Sequence, residues 1–314
     1  MGVASSPVAE ATDAVVSRPR GARWRGTLGG VLHQRSALVG LAILGFLVVV
    51  AILAEVIAPF PPDQVLLGVE EGVQRRSPPC IHALGCPADQ PEHIMGTDGN
   101  FRDLFSRVVY GARVSLLVGF VTVGVAIIVG SLLGAIAGFA GGWPDNGIMR
   151  FMDLFLVFPA LLLAIAIVTL LGAGLVNALL AVAIVSIPIY ARIMRSTVLT
   201  IRESDYVTAS RALGESSSGL LLRRVMPNSL TPIIVAGTLG IATAILEVAA
   251  LSFLGIGAQP PVAEWGSMIG LERSVLFSAP HVIFFPAVAL ALTVLGFNLL
   301  GDGVRDALDP RLNR

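Results

Sequence analysis

Six runs of mainly apolar residues leave this chain few folds to choose from, because each approaches the ~20 residues a helix needs to cross a bilayer. They fall at residues 37–59, 114–140, 151–172, 175–195, 229–256 and 283–303. Backbone groups in hydrocarbon must find partners within the protein, so runs of this length resolve into helices. Composition agrees. The chain is 55% hydrophobic and 13% charged, with a mean hydropathy of +0.83, the profile of a multi-pass membrane protein rather than a soluble domain. The expected fold class is all-α, with six transmembrane helices.

Charge sets an expected orientation. A polar segment, 1–36, precedes the first run and carries Arg18, Arg20, Arg23, Arg25 and Arg35. Its length and the long apolar run after it read as a flexible basic tail and an uncleaved signal anchor. With both termini in the cytoplasm, 15 arginines lie inside and 6 outside, which satisfies the positive-inside bias. Five of the outer six belong to one long loop, about 60–113, and long loops constrain topology less. The remainder, 37–314, reads as a single transmembrane domain.

All 21 basic residues are arginine. A phosphate-binding P-loop needs Gly-Lys-Ser/Thr, so this chain has no such site. If ATP drives it, a partner subunit binds the ATP. The four histidines are scattered and no GxSxG segment occurs, so neither a zinc-hydrolase motif nor a nucleophile elbow is present. No catalytic residue and no metal site is expected. The zero net charge suggests no nucleic-acid partner.

Within the runs, Pro159, Pro188, Pro232 and Pro286 can each kink a helix. Gly130, Gly134, Gly138 and Gly142 form a stripe at four-residue spacing, which lets another helix come close, as static packing or as a hinge. Asp153 and Glu247 are ionisable groups in predicted spans. Asp153 reads best as a local partner of Arg150. Glu247 reads as an interhelical hydrogen bond or a pathway group. In the outer loop, Cys80 and Cys86 are compatible with a disulfide or with free thiols. Leu104, Phe105, Val108, Val109 and Ala112 share a face, predicting an amphipathic helix lying on the outer surface. Trp265 reads as an interfacial anchor, with a docking-site border as the alternative.

The fourth and fifth runs are joined by a polar loop, about 196–228. Ser204 or Asp205 can cap a short helix that Gly214 ends in the left-handed conformation. Tyr206, Ala209 and Leu213 share one of its faces. Ser216 to Ser218 offer caps for a second helix, and Pro227 marks the start of the fifth span. Small residues on an exposed short helix suit rigid docking; a solvated amphipathic loop is the alternative.

Thr208-Ala209-Ser210, then Gly214, then Met226-Pro227 resembles the EAA loop of ABC importer permeases, although Thr208 replaces Glu and Met226 replaces Leu. Met95-Gly96-Thr97-Asp98, Arg102-Asp103 and Tyr110-Gly111-Ala112-Arg113-Val114-Ser115-Leu116 resemble the signature of the DppC/OppC group, with Phe101 where that group carries Gly. Met152-Asp153, Phe158-Pro159, Leu251-Ser252-Phe253-Leu254-Gly255, Trp265-Gly266 and the tail Gly301 to Arg311 extend the match over about residues 36–314. The resemblance implies a permease subunit of an ATP-driven importer for dipeptides or oligopeptides in the bacterial plasma membrane. It implies a DppB/OppB-like permease partner, ABC ATPase subunits (one fused or two separate) that bind ATP and Mg, and an extracytoplasmic peptide-binding protein. It makes Asp205, Tyr206, Ala209, Arg211, Ala212, Leu213 and Gly214 a coupling helix seated against an ATPase. A same-group permease for nickel or another solute is the alternative, and a self-contained secondary carrier or channel is the alternative from another class.

Overall fold

A computed structural model describes residues 34–308. Most of the predicted basic tail, with Arg18, Arg20, Arg23 and Arg25, lies outside the described residues, as does the end of the C-terminal motif. The architecture is helical: α1 (Arg35–Ile52), α2 (Leu104–Ala140), α3 (Gly142–Leu156), α4 (Ala160–Leu171), α5 (Leu175–Arg202), α6 (Asp205–Ala212), α7 (Met226–Phe253), α8 (Trp265–Glu272) and α9 (His281–Leu308). Among the described residues there are isolated bridges but no strands. Five helical stretches are long and apolar enough to cross a membrane, or six if the bent pair α3–α4 is one span.

The bundle is organised around α2 and α5. Gly130, Gly134 and Gly138 bring the α2 backbone onto that of α5. A Cβ at Gly130 would sit 2.7 Å from the Ile187 carbonyl oxygen, and one at Gly138 2.9 Å from that of Arg195. At Gly134 it would collide with the Ala191 carbonyl. Glycine is used here for close approach rather than flexibility. The rising register, 130 with 187 and 138 with 195, makes the two helices parallel. The chain must therefore return to its starting end between them, and α3–α4 does this. Gly142 does not belong to the stripe: it lies beyond the helix, with φ +59°.

The return is not the single straight span predicted at 151–172. The two helices meet at 92°, with Pro159 as the N-cap of α4. Proline supplies no N–H to the preceding turn and disfavours helix at Phe158 before it. Pro188 and Pro286, in contrast, are buried inside continuous helices.

The predicted amphipathic surface helix is the first part of α2. Leu104, Val108, Val109 and Ala112 are buried because α8 packs across them. Asp103 caps this end, accepting from the Ser106 N–H at 2.7 Å. Trp265 is not an interfacial anchor: it is fully buried, and its Nε1 donates to the Val108 carbonyl at 3.0 Å. The segment before α2 folds over the same end and contains a Cys80–Cys86 disulfide, with Cα atoms 5.4 Å apart.

Phe101 adopts φ +56°, in a turn where Asp98 Oδ1 accepts from the Asn100 and Arg102 N–H groups at 2.8 and 2.9 Å. A left-handed conformation costs a side-chain-bearing residue about 1–2 kcal/mol. Phe101→Gly is therefore expected to raise the melting temperature of the purified protein, corresponding to about 1 kcal/mol; a lower melting temperature would show that the ring's packing outweighs the backbone. Gly134→Leu should do the opposite, with an overpacking cost of about 1–3 kcal/mol or more, read as a reduced yield of folded protein by size exclusion and a lower thermal transition.

Candidate functional site

The loop after α5 builds one exposed, unpartnered surface at the end of the bundle opposite the disulfide. Ser204 occupies the N-cap of α6 but makes no capping bond with its side chain. Its hydroxyl instead donates to the Ile201 carbonyl at 2.6 Å. The helix ends with Gly214 at φ +85°, a conformation that glycine adopts without a Cβ penalty. Of the α6 residues, Val207 alone is buried. It packs in a small core with Ala135, Met194, Val198, Leu220, Val225 and Ile233. One side chain thus anchors α6 to both α5 and the start of α7. Asn228 adds a polar tie, donating from Nδ2 to Tyr206 Oη at 3.1 Å and to the Arg224 carbonyl at 2.6 Å.

The other sequence-predicted residues face outward. Asp205, Tyr206, Ala209, Arg211, Ala212, Leu213 and Gly214 are exposed, Leu213 to 89%. Beyond them, Ser216 Oγ caps a short turn by accepting from the Gly219 N–H at 3.3 Å. A six-residue π-type stretch, Leu220–Val225, then runs straight into α7. The second loop helix is therefore continuous with the fifth span, which begins well before residue 229.

Most of the nearby arginines are structural. Arg192 pairs with Asp153 at 2.6 Å, so that carboxylate's partner is on α5 and not the neighbouring Arg150. Arg195 chelates Asp145 at 2.5 and 2.6 Å. Arg202 donates to the Gly138 carbonyl at 2.8 Å. These contacts tie α2 and α3 to the end of α5 from which α6 hangs. Glu247 is half-buried on α7 and makes no hydrogen bond among the described residues.

The opposite end holds a polar cluster that sequence reasoning did not single out. Asp98 pairs with Arg102 at 2.8 Å and Arg107 at 3.4 Å. Glu272 pairs with Arg76 at 2.7 Å and accepts from the Gly99 N–H at 2.8 Å. His93 Nδ1 lies 2.9 Å from Asp103 Oδ1. The available signal was the concentration of five arginines in the one loop that opposes the positive-inside count. Beside this cluster, buried Glu264 caps α8, accepting from the Gly266 and Ser267 N–H groups at 2.9 and 2.8 Å. Burial raises its carboxyl above the ordinary range, against the opposing effect of those two donors and Ser252.

Residues 130–314 match the family described as binding-protein-dependent transport system inner membrane component. Residues 23–79 match the N-terminal transmembrane domain of oligopeptide transport permease C. A dipeptide transport system permease protein DppC of Alkalihalophilus pseudofirmus is 45% identical, over 92% of this chain and 90% of the relative. A di/tripeptide permease DppC of Pseudomonas aeruginosa is 44% identical, over 89% of each. A glutathione transport system permease protein GsiD of Pectobacterium atrosepticum is 46% identical, over 70% of this chain and 73% of the relative. In fold, the chain resembles the MetNI methionine ABC transporter in an inward-facing form. That match has a TM-score of 0.53 at 19% identity and covers 66% of this chain and 98% of the other.

Two outcomes follow from this geometry. Val207→Ala removes the anchor of α6 at a local cost of about 1–2 kcal/mol. It should speed hydrogen exchange at the Asp205–Gly214 amides while leaving α2 and α5 protected; unchanged exchange would mean α6 is held some other way. For Glu264, the fold favours the protonated form. Its contribution is full below the unfolded carboxyl value near 4.5 and is lost as pH rises through the raised one. Glu264→Gln should flatten the decline in melting temperature from acidic to neutral pH, and an undiminished slope would place its origin elsewhere.

Proposed function

This chain belongs to the family of binding-protein-dependent transport system inner membrane components, and on that footing we propose that it is a permease subunit of an ATP-driven importer of short peptides. The family match, with several helices long and apolar enough to cross a bilayer, makes it a multi-pass inner-membrane component. The relatives named for dipeptides, di/tripeptides and glutathione support a substrate of two or three residues. The glutathione relatives favour one specific second reading, a tripeptide with a γ-linked backbone.

The observation that carries the coupling role is the exposed face of α6. Ala209 and Ala212 are small enough to admit a partner's backbone, and Tyr206 and Leu213 can fill pockets on it. Arg211 offers a charge on the same short helix. The arginine bias supports a cytoplasmic position for this end, as for both termini. There it would meet an ATPase subunit holding ATP and Mg, while the opposite end would meet the extracytoplasmic binding protein. A DppB/OppB-like permease would complete the pathway.

The mechanism is alternating access. ATP-driven closure of the ATPase pair moves α6, α6 moves α5 through the Val207 core, and the Arg192, Arg195 and Arg202 ties carry α2 and α3 along with α5. The glycine-packed α2–α5 pair then shifts as one body. Substrate biases this equilibrium only through different affinities for the outward and inward states. Glu247, half-buried and without a hydrogen-bond partner among the described residues, is a pathway candidate.

The test is ATP hydrolysis by the complete complex in lipid, with binding protein and either dialanine or glutathione. Ala209→Glu should abolish peptide-stimulated hydrolysis and uptake while leaving the melting temperature of the spans unchanged. Normal uptake by Ala209→Glu would remove α6 from the coupling role. Stimulation by nickel alone would overturn the peptide assignment.

A further inference from the structure

At the end of the bundle away from α6, a cavity of about 100 Å³ lies between the segment preceding α2, the first turns of α2, and α8. Four arginines line it, Arg75, Arg76, Arg102 and Arg107, against two carboxylates, Asp98 and Glu272. Both carboxylates are engaged by the chain's own groups, Asp98 by Arg102 and two backbone N–H groups, Glu272 by Arg76 and Gly99. The arginines are not engaged to the same degree. Arg75, Arg76 and Arg102 each bond through Nε alone, to the Gly99 carbonyl at 2.5 Å, to Glu272 at 2.7 Å and to Asp98 at 2.8 Å.

The two terminal nitrogens of each of these three guanidinium groups have no partner among the described residues. Arg102 is nonetheless 95% buried, its exposure being 5%. Guanidinium forks that open on a cavity with no protein partner among the described residues, in a site with surplus positive charge, suit an anion with two oxygens in a plane. The apolar floor of Leu104, Met268, Leu271 and Val282 suits the methylene stem of such a group. The cavity is partly open rather than enclosed, so a carboxylate on a side chain projecting from a larger body can enter it.

We propose that this pocket receives an aspartate or glutamate side chain of the extracytoplasmic binding protein, and so registers that protein on the outer face. This rests on the importer reading above. It also accounts for arginines standing on the side of the membrane where charge bias disfavours them. Arg75 is the residue to test, because it is exposed and, among the described residues, bonds only to the Gly99 carbonyl.

The experiment titrates fluorescently labelled binding protein onto the intact complex in lipid nanodiscs. Wild type is compared with Arg75→Gln, Arg75→Glu and Arg75→Lys, each checked for an unchanged melting temperature. Loss of one charge-assisted contact should raise Kd about tenfold for Arg75→Gln and more for Arg75→Glu, with Arg75→Lys between wild type and Arg75→Gln. One Asp→Asn or Glu→Gln change on the binding protein should weaken binding to wild type and add nothing further to Arg75→Gln, the non-additivity of a direct pair. Equal affinity for wild type and Arg75→Gln would overturn the proposal and leave the importer reading intact. Unchanged affinity with a raised peptide KM would assign the pocket to the substrate's own carboxylate and overturn the docking role. A wild-type complex that binds no such protein would overturn the importer reading and the proposal together.

Discussion

The packing of α2 against α5 is the constraint from which the rest of the structure follows. Two helices whose backbones touch through Gly130, Gly134 and Gly138 cannot slide or separate by small steps. Inserted side chains would clash with carbonyl oxygens, and lipid offers no hydrophobic gain for parting them. Because the pair is parallel, the intervening chain has to recross. Because the contact is tight, α3 and α4 must recross outside it. The exposed, bent course of α3–α4 is thus a consequence of the glycine stripe as much as of Pro159.

The same packing gives the two ends of the bundle different characters. At the α6 end, side chains of α5 reach across to α2 and α3, and the short helix beyond is held by Val207 and little else. At the other end, α8 lies across α2, with Trp265 fully buried and Glu264 capping its first turn. One end therefore carries a small element that can be gripped. The other is a consolidated lid of crossed helices, loop and ion pairs, in which Arg76 and Glu272 join segments 196 residues apart.

Legibility in the sequence followed the range of the interactions involved. The helical class and the number of apolar runs were readable because lipid imposes a length and an apolar composition on each run separately. The ends of α6 were readable because a Ser-Asp start and the left-handed Gly214 are local signals, each within one turn of the helix. The 92° break was not. A proline in an apolar run is compatible with a mild kink, as at the buried Pro188 and Pro286, and only the absence of clamping neighbours around Pro159 turns a kink into an elbow. The Asp153 partner was missed because the nearer Arg150 competes on sequence distance alone. The placement of Trp265 depended on Gly111, far away in the chain, leaving room for an indole. The outer arginine cluster was visible only as an anomaly in a charge count, since its partners come from three separate segments.

The elbow at Pro159 also bears on which way this part of the chain faces. Proline brings no N–H to the Phe155 carbonyl, and Leu154, Val157, Phe158 and Leu162 around the bend are exposed. The side chains flanking the bend are too apolar to face water. Apolar side chains left exposed at a bend suit lipid or another polypeptide and not water, so the elbow turns outward from the packed bundle rather than into it.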